Sequence, residues 1–258
     1  MKKFLKPAYL PWFVLIAGSI GIALRFWLLA TGFDNKNLLI SGHPADALLW
    51  VLTAITMAVI VIGCLPVVEA NKYSFNFPKT PVGAIGEGVL ALGILITNIL
   101  TLTKPLDTLF IITLVVGFLS IPALILCGLF RWKGKKPVFF FHGLVSIYWV
   151  LRLISLYRIW SPEPQLQNYI FQLFAHVLIM ISCYQRTAFD ADQGNRKWHA
   201  ITHLAAAFFC CLSMPGSGDW LLYGTGAAWA FTNLCRLTPM PNWNLMSQKK
   251  KDDNHDPA

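Results

Sequence analysis

Long apolar stretches alternate along the chain with short polar ones. Most of the apolar stretches are about 18 residues or longer, enough to cross the hydrocarbon core of a bilayer as a helix. The strict alternation typical of strands is absent, and a helix satisfies every backbone amide internally, as lipid requires. The pattern predicts about eight transmembrane helices, at 8–31, 45–67, 81–101, 107–130, 138–159, 165–188, 198–214 and 218–237.

The last two predicted spans differ from the others. The seventh is the shortest, and only "MPGSGD" separates it from the eighth, so the pair forms either two separate spans or one re-entrant hairpin. The polar residues at the C-terminal end predict a segment without a fold of its own. We therefore divide the chain into a transmembrane helical bundle over residues 1–245 and a disordered, polar, cytoplasmic tail over residues 246–258.

Composition agrees with a membrane protein. Hydrophobic residues make up 56% of the 258 positions and charged residues 13%, and the mean hydropathy is +0.56. A soluble domain carries about 25% charged residues. The predicted fold class is all-α, a polytopic transmembrane helix bundle. The sequence holds no phosphate-binding loop, dinucleotide fingerprint or CxxC pair, so we expect no cofactor.

The basic residues predict how the bundle is oriented. Most of the 21 lysines and arginines fall in the N-terminal segment and in the segments on the same side of the membrane, which places both termini in the cytoplasm of a multi-pass protein of the cell membrane. The stretches "RWKGKK" (131–136) and "QKKK" (248–251) attract anionic headgroups, so membrane lipids are expected partners. Nucleic acid is not an expected partner, because no soluble domain presents these short loops.

One predicted pair of helices carries polar groups deep in the membrane. Arg152 lies roughly 10 Å from the outer end of the fifth span, where a charged side chain is costly unless it is paired. On the next helix Asn168, Gln172 and His176 recur every four residues and share one face. Arg25 lies at a similar depth in the first span. Because guanidinium groups bind carboxylate and phosphate bidentately, these residues predict an outward-facing site for a polar or anionic ligand.

The alternative is that the two arginines are structural. Arg25 and Arg152 are then neutralised by Asp219, Asp107 or Glu163, or they reach the outer headgroups. Both interpretations keep the charged groups out of the hydrocarbon core, and the sequence leaves both open.

A second set of polar residues lies near the cytoplasmic ends of three spans. Glu87, His142 and His203 are each four to six residues from that end, so their depths agree within about one turn. Buried His and Glu side chains can relay protons, and we assign these three residues a proton-coupling role. The alternatives are a transition-metal site or histidines that only pack in the core. No metal is assigned, because the residues lack a local ligand spacing.

The third span is rich in glycine, with "PVGAIGEGVLALG" over residues 81–93. Each glycine in a helix costs about 1 kcal/mol relative to alanine. Close packing of a neighbouring helix is one reason to keep them. A hinge or broken helix beside Glu87, as in transporters, is the other.

Two further stretches carry a family resemblance. The segments "RIWSPEPQLQNYIFQLFA" (158–175) and "YQRTAFDADQGNRKW" (184–198) are similar to stretches in uncharacterised multi-pass membrane proteins of gut Firmicutes. The resemblance covers the fifth to the seventh predicted spans. It implies a bacterial membrane protein, and it carries over no activity and no catalytic or binding residue.

The sequence favours a transporter or binding protein for a small polar or anionic solute. The first alternative is a non-catalytic subunit, sensor or assembly factor with a protein partner in the membrane or the cytoplasm. The second is an integral membrane enzyme acting on lipid-linked substrates. The enzyme is the less favoured, because no Ser-His-Asp spacing and no paired loop carboxylates are present.

Overall fold

The computed structural model describes residues 7–34, 38–40, 42–67, 69–77, 79–103, 107–161, 169–235 and 237. The regular elements in these ranges are helical, apart from one antiparallel bridge between Phe33 and Leu39. A 3₁₀ turn over Pro7–Tyr9 leads into the first helix. The helices are α1 (Leu10–Thr31), α2 (Pro44–Cys64), α3 (Tyr73–Asn76), α4 (Pro81–Leu102), α5 (Thr108–Trp132), α6 (Phe139–Trp160), α7 (Ile170–Asp190), α8 (Arg196–Ser213) and α9 (Trp220–Thr232).

A helix lies at each predicted span, so the all-helical class is confirmed. Five of these helices are long and apolar enough to cross a membrane: α1 with the preceding turn, α2, α4, α5 and α6. Helices α7 and α8 contain more polar residues, and α9 has only 13 residues, about 20 Å at 1.5 Å per residue. The predicted tail (246–258) and the first residues of the predicted sixth span (165–168) lie outside the described residues.

Six helices form a closed ring. Helices α4 to α9 each pack against the next, and α9 packs back against α4. Helices α1 and α2 pack against each other and against α8 from outside the ring. Successive helices are antiparallel, so the ring has two ends. We call the end where Lys79, Lys133, Lys136 and Lys197 lie the basic end, and the other the opposite end.

Helix α8 is the most enclosed helix because it belongs to the ring and also carries the α1–α2 pair on its outer side. Nearly all of its residues are buried. The run Ala205 to Ala207 has no exposed surface, and such small side chains let neighbouring helix backbones approach closely. The position of α8 explains its composition: a helix with protein on every side needs small residues and hydrogen-bonded polar groups rather than a lipid-facing apolar stripe.

Helix α4 is continuous, and its glycines serve close packing. A methyl group added to Gly86 would overlap Thr232 of α9, and one added to Gly93 would overlap Thr225. The two helices therefore touch along glycine–threonine contacts, an arrangement that small residues allow in membrane bundles. Of the two explanations for the glycine-rich span, the described conformation shows close packing, and α4 has no break beside Glu87.

Candidate functional site

Several buried polar side chains meet inside the ring near its basic end. We call them the basic-end cluster: Glu87, Arg131, His142, Arg186, Asp190 and Trp229. His142 is the centre, with Nδ1 2.6 Å from Oδ2 of Asp190 and Nε2 3.3 Å from Oε1 of Glu87. The three side chains have no exposed surface. If both carboxyl groups are ionised, both ring nitrogens must donate to them, so His142 is positively charged. If the ring is neutral, only one nitrogen donates, so the other contact requires a protonated carboxyl group.

Helix ends bring the three residues together. Glu87 lies in the second turn of α4, His142 in the first turn of α6, and Asp190 is the last residue of α7. These three positions lie at the same level because α4 and α6 start at the basic end and α7 finishes there. Cys127 of α5 adds its Sγ at 3.6 Å from Nδ1 of His142.

Glu87 joins the helices around it. Its Oε2 accepts a hydrogen bond of 2.8 Å from Nε1 of Trp229 on α9, and its Oε1 lies 3.9 Å from Nη2 of Arg186 on α7. Together with the contact to His142, one carboxylate therefore links α4, α6, α7 and α9. A change in its protonation would reach four helices of the ring.

Arg186 is held by charge and by aromatic rings. The guanidinium carbon lies 3.9 Å from the ring centroid of Phe77 and 5.5 Å from that of Tyr73, and the residue is fully buried. Among the described residues, no acceptor forms a hydrogen bond with its three guanidinium nitrogens. Stacking on an aromatic face is favourable for a desolvated cation. Arg186 therefore brings a positive charge and unused donors into the cluster.

Arg131 serves the end of α9. Its guanidinium donates to Oδ1 of Asn233 and, at 3.4 Å, to the carbonyl of Thr232. A cation at a helix C-terminus stabilises the carbonyls that the last turn leaves unpaired. The contact fixes the basic end of α9 against α5.

Two stacked histidines lie beside the cluster on α8. The rings of His199 and His203 are 3.7 Å apart between centroids, and the ring of His203 is 5.1 Å from that of Trp229. His203 Nδ1 lies 3.1 Å from the carbonyl of His199. Since a carbonyl only accepts, this contact places the His203 proton on Nδ1, and Nε2 has no partner among the described residues.

The segment 69–77, which includes α3 and which we call the cap segment, covers the basic end of the cluster. Tyr73, Asn76 and Phe77 are buried, and Phe77 stacks on Arg186 as described above. Asn76 donates to the carbonyls of Ala70 and Lys72 within the segment. The cap segment therefore closes the basic end of the helix ring with aromatic side chains.

Asp192, in the turn between α7 and α8, holds the cap segment. Its Oδ1 accepts from the backbone N–H of Tyr73 at 2.9 Å, and its Oδ2 lies 2.6 Å from Nζ of Lys136. The hydrogen bond from Lys136 lowers the pKa of Asp192 from its ordinary value, and the bond from the Tyr73 amide acts in the same direction. A cavity of about 290 Å³ lies between these residues and Phe77.

A second polar group lies inside the ring toward the opposite end. We call it the opposite-end cluster: Thr101, Arg152, His176, Asp219 and Tyr223. Arg152 is 3% exposed, and its Nη2 donates to Oδ2 of Asp219 at 2.7 Å. Its Nη1 lies 3.3 Å from Oγ1 of Thr101. The guanidinium is thus neutralised by Asp219, one of the acids that the structural interpretation of Arg152 named.

His176 on α7 contacts α6 and α9. Its Nδ1 lies 2.9 Å from the carbonyl of Gln172 and 3.3 Å from the hydroxyl of Tyr223 on α9. The ring packs edge-on against Trp149 and Trp160. Because Nδ1 donates a hydrogen bond to the Gln172 carbonyl, Nε2 carries the lone pair of the neutral ring, and it has no partner among the described residues.

The structure brings together part of the predicted ligand-binding set. Arg152 and His176 both belong to the opposite-end cluster, and Gln172 lies one turn from His176 on α7. Arg25 lies elsewhere, outside the ring on α1, with its guanidinium carbon 5.5 Å from the ring centroid of Phe171. Asn168 lies outside the described residues.

The predicted proton-coupling residues lie close together. Glu87 and His142 are in contact, and His203 stacks on Trp229, which donates to Glu87. The sequence argument missed Arg186 and Asp190. A signal was available, because the buried face of α7 continues past His176 at helical spacing through residues 179, 183, 186 and 190, and the last two of these positions are charged. The argument treated Arg186 as a charge that sets topology, and so stopped the face at His176.

No group of three or more His, Cys, Asp or Glu side chains among the described residues is arranged to hold a metal ion. Comparison with protein-family models, with curated proteins and with solved structures gives no significant match to this chain. Its function is therefore argued from its own geometry.

Proposed function

We propose that the protein is a proton-linked carrier or binding protein for a small polar or anionic solute in the bacterial cell membrane. The observation that carries the proposal is His142, held between Glu87 and Asp190 with no exposed surface. Ionisable groups inside a membrane bundle are costly, and proton relays are among the functions that retain them. Histidine suits a relay because each of its two nitrogens can bind or release a proton.

The proposal includes eight transmembrane helices with both termini in the cytoplasm. Helices α7 to α9 run between the same two ends as the five long apolar helices. Helix α8 has 18 residues, about 27 Å, close to the thickness of the hydrocarbon core. The basic end carries the lysines of the described residues and therefore faces the cytoplasm under the positive-inside rule.

In the proposed relay a proton passes between Glu87 and Asp190 through the ring of His142. The ring takes a proton at one nitrogen from one carboxyl and releases the proton on its other nitrogen to the second carboxylate, so the charge of the ring is restored. His203 is the proposed next acceptor, because its Nε2 carries a lone pair and its ring stacks on Trp229.

The opposite-end cluster supplies the proposed solute site. Asp219 keeps 16% of its side chain exposed, so a carboxylate or phosphate that enters from this end can displace it from Arg152. Asp219 immediately precedes α9, and Trp229 on the same helix donates to Glu87. Movement of α9 on solute binding would therefore alter the partners of Glu87, which is the proposed link between solute and proton.

Charge movement in proteoliposomes tests the relay. Wild-type protein adsorbed on a solid-supported membrane should give a transient current when the buffer is switched from neutral to mildly acidic. Glu87→Gln and His142→Gln should abolish the current, because each removes a member of the relay. Arg158→Gln, at an exposed ion pair outside both clusters, is the control and should keep the current. An unchanged current in the Glu87→Gln, His142→Gln double variant would remove the relay from the proposal.

A structural role in a membrane complex is the second candidate, and the satisfied Arg152–Asp219 pair favours it. Under this alternative the polar contacts hold the helices together, each contributing on the order of 0.6 kcal/mol. Wild-type protein that gives no current and purifies with a stoichiometric second protein would favour the subunit over the carrier.

A further inference from the structure

An apolar groove runs along the outside of the ring between α4 and α5, near the basic end. Its volume is about 230 Å³, and its walls include Ile85 and Gly88 of α4 and Ile125 and Trp132 of α5. These apolar side chains are exposed, so the groove opens to the surroundings of the bundle and not to its interior. We propose that it binds one acyl chain of an anionic phospholipid whose headgroup lies over the turn that follows α5.

The groove depends on two glycines, one on each helix. An added Cβ at Gly88 would meet no atom within 4 Å, whereas one at Gly128 on α5 would lie 3.1 Å from the carbonyl of Ala84. The two helices are therefore close at Gly128, and the missing side chain at Gly88 leaves a channel beside that contact. A flexible hydrocarbon chain fits such a channel, while a helix of about 10 Å diameter needs a broader face.

Positive charge gathers where the groove reaches the basic end. Trp132 lines the groove, and Lys133 and Lys135 follow it in the exposed turn after α5. Lys79 lies against the same turn, with its Cβ 3.5 Å from a Cβ added at Gly134. Among the described residues, no carboxylate lies within ion-pair distance of these three lysines.

Two of the other lysines at the same end are paired. Lys136 contacts Asp192 at 2.6 Å, and Lys197 contacts Glu69 at 3.2 Å. The cations next to the groove, unlike these two, are left for an external anion, and each lysine near the surface adds to the attraction for an anionic headgroup. An apolar channel with unpaired cations and an interfacial tryptophan at its end matches an anionic lipid.

Native mass spectrometry with a defined lipid pair tests the site. The full-length protein in mild detergent is titrated with equal amounts of palmitoyl-oleoyl phosphatidylglycerol and phosphatidylcholine. The wild type should retain one phosphatidylglycerol after other lipids are removed. Gly88→Leu fills the channel, and Lys133→Gln with Lys135→Gln removes its charge. Each variant should raise the apparent Kd for phosphatidylglycerol by about tenfold or more.

Two matched controls should bind as the wild type does. Ala58→Leu adds a side chain to the exposed face of α2, and Lys197→Gln removes a paired cation at the same end. Equal retention of the two lipids by the wild type, or unchanged retention in both test variants, overturns the proposal. A second copy of the chain held in place of lipid and released by Gly88→Leu also overturns it. The lysine variant leaves the channel intact and so remains informative if Gly88→Leu folds poorly.

Discussion

Two ion pairs of this chain share their chemistry and differ in burial. Arg152–Asp219 and Arg158–Asp107 are each arginine–aspartate pairs with a nitrogen–oxygen distance of 2.7 Å. The first has side chains that are 3% and 16% exposed, and the second has side chains that are 60% and 50% exposed. We expect the buried pair to have the larger coupling free energy, with the exposed pair as its control.

The magnitude follows from burial. Removing one partner of a buried pair costs about 3–5 kcal/mol, because it leaves an uncompensated charge. Two unit charges 4 Å apart at an effective dielectric constant of about 20 attract by about 4 kcal/mol. The partial exposure of Asp219 lets water reduce both values, so we expect a coupling of about 2–3 kcal/mol for Arg152–Asp219. Exposed pairs such as Arg158–Asp107 typically give about 0.2–1 kcal/mol.

A double-mutant cycle measures each coupling. The variants are Arg152→Leu and Asp219→Asn for the buried pair, and Arg158→Leu and Asp107→Asn for the exposed pair. Asparagine at position 107 keeps a side-chain acceptor for the first amide of α5, which Asp107 now caps at 2.6 Å. Reversible unfolding in mixed micelles, followed by tryptophan fluorescence, gives the free energies.

Additivity would refute the reasoning. If Arg152→Leu and Asp219→Asn add to within about 0.5 kcal/mol, the two side chains do not stabilise each other. The charge of Arg152 would then be balanced by another group, and the solute site would need no displacement of Asp219. If the coupling free energy of Arg158–Asp107 equalled that of Arg152–Asp219, burial would not determine the strength of these pairs.

Two further predictions concern packing and pH. Gly93→Val should lower the free energy of unfolding by about 1–3 kcal/mol, because its side chain overlaps Thr225; Gly88→Ala, where Cβ has room, is the control in the same assay. Because Lys136 lowers the pKa of Asp192, their contact stabilises the cap segment above the ordinary aspartate pKa. Hydrogen-exchange protection there should fall as the pH drops through the lowered pKa, and Lys136→Gln should make this step smaller, because only the bond from the Tyr73 amide remains.

The sequence predicted the helices well because each helix has its own local pattern. Apolar length alone places α1, α2, α4, α5 and α6, and every backbone amide in such a segment finds its partner within the segment. The end of α9 was predicted at residue 237, but the helix ends at Thr232. Asn233 there accepts from Arg131 on α5, and a contact between distant segments leaves no local pattern.

The candidate site was predicted only in part, for the same reason. Glu87 and His142 were grouped because both lie at one depth from the ends of their spans. Asp190 was missed because it is the last residue of its helix, where an acid normally suggests a surface position. The cap segment was also missed, since its role depends on Phe77 stacking on Arg186, which lies far along the chain.

The position of α8 constrains how the protein is assembled. Helices α1 and α2 are made first, yet the surface on which they pack belongs to α8, which is made near the end of synthesis. Glu87 likewise enters the membrane before His142, Asp190 and Trp229 exist to contact it. The nascent chain must therefore hold α1, α2 and α4 in a loose arrangement until α8 and α9 arrive and the ring closes. Chains stalled before residue 139 would present Glu87 without the His142 side chain that it contacts, and these are the chains that membrane quality control should recognise.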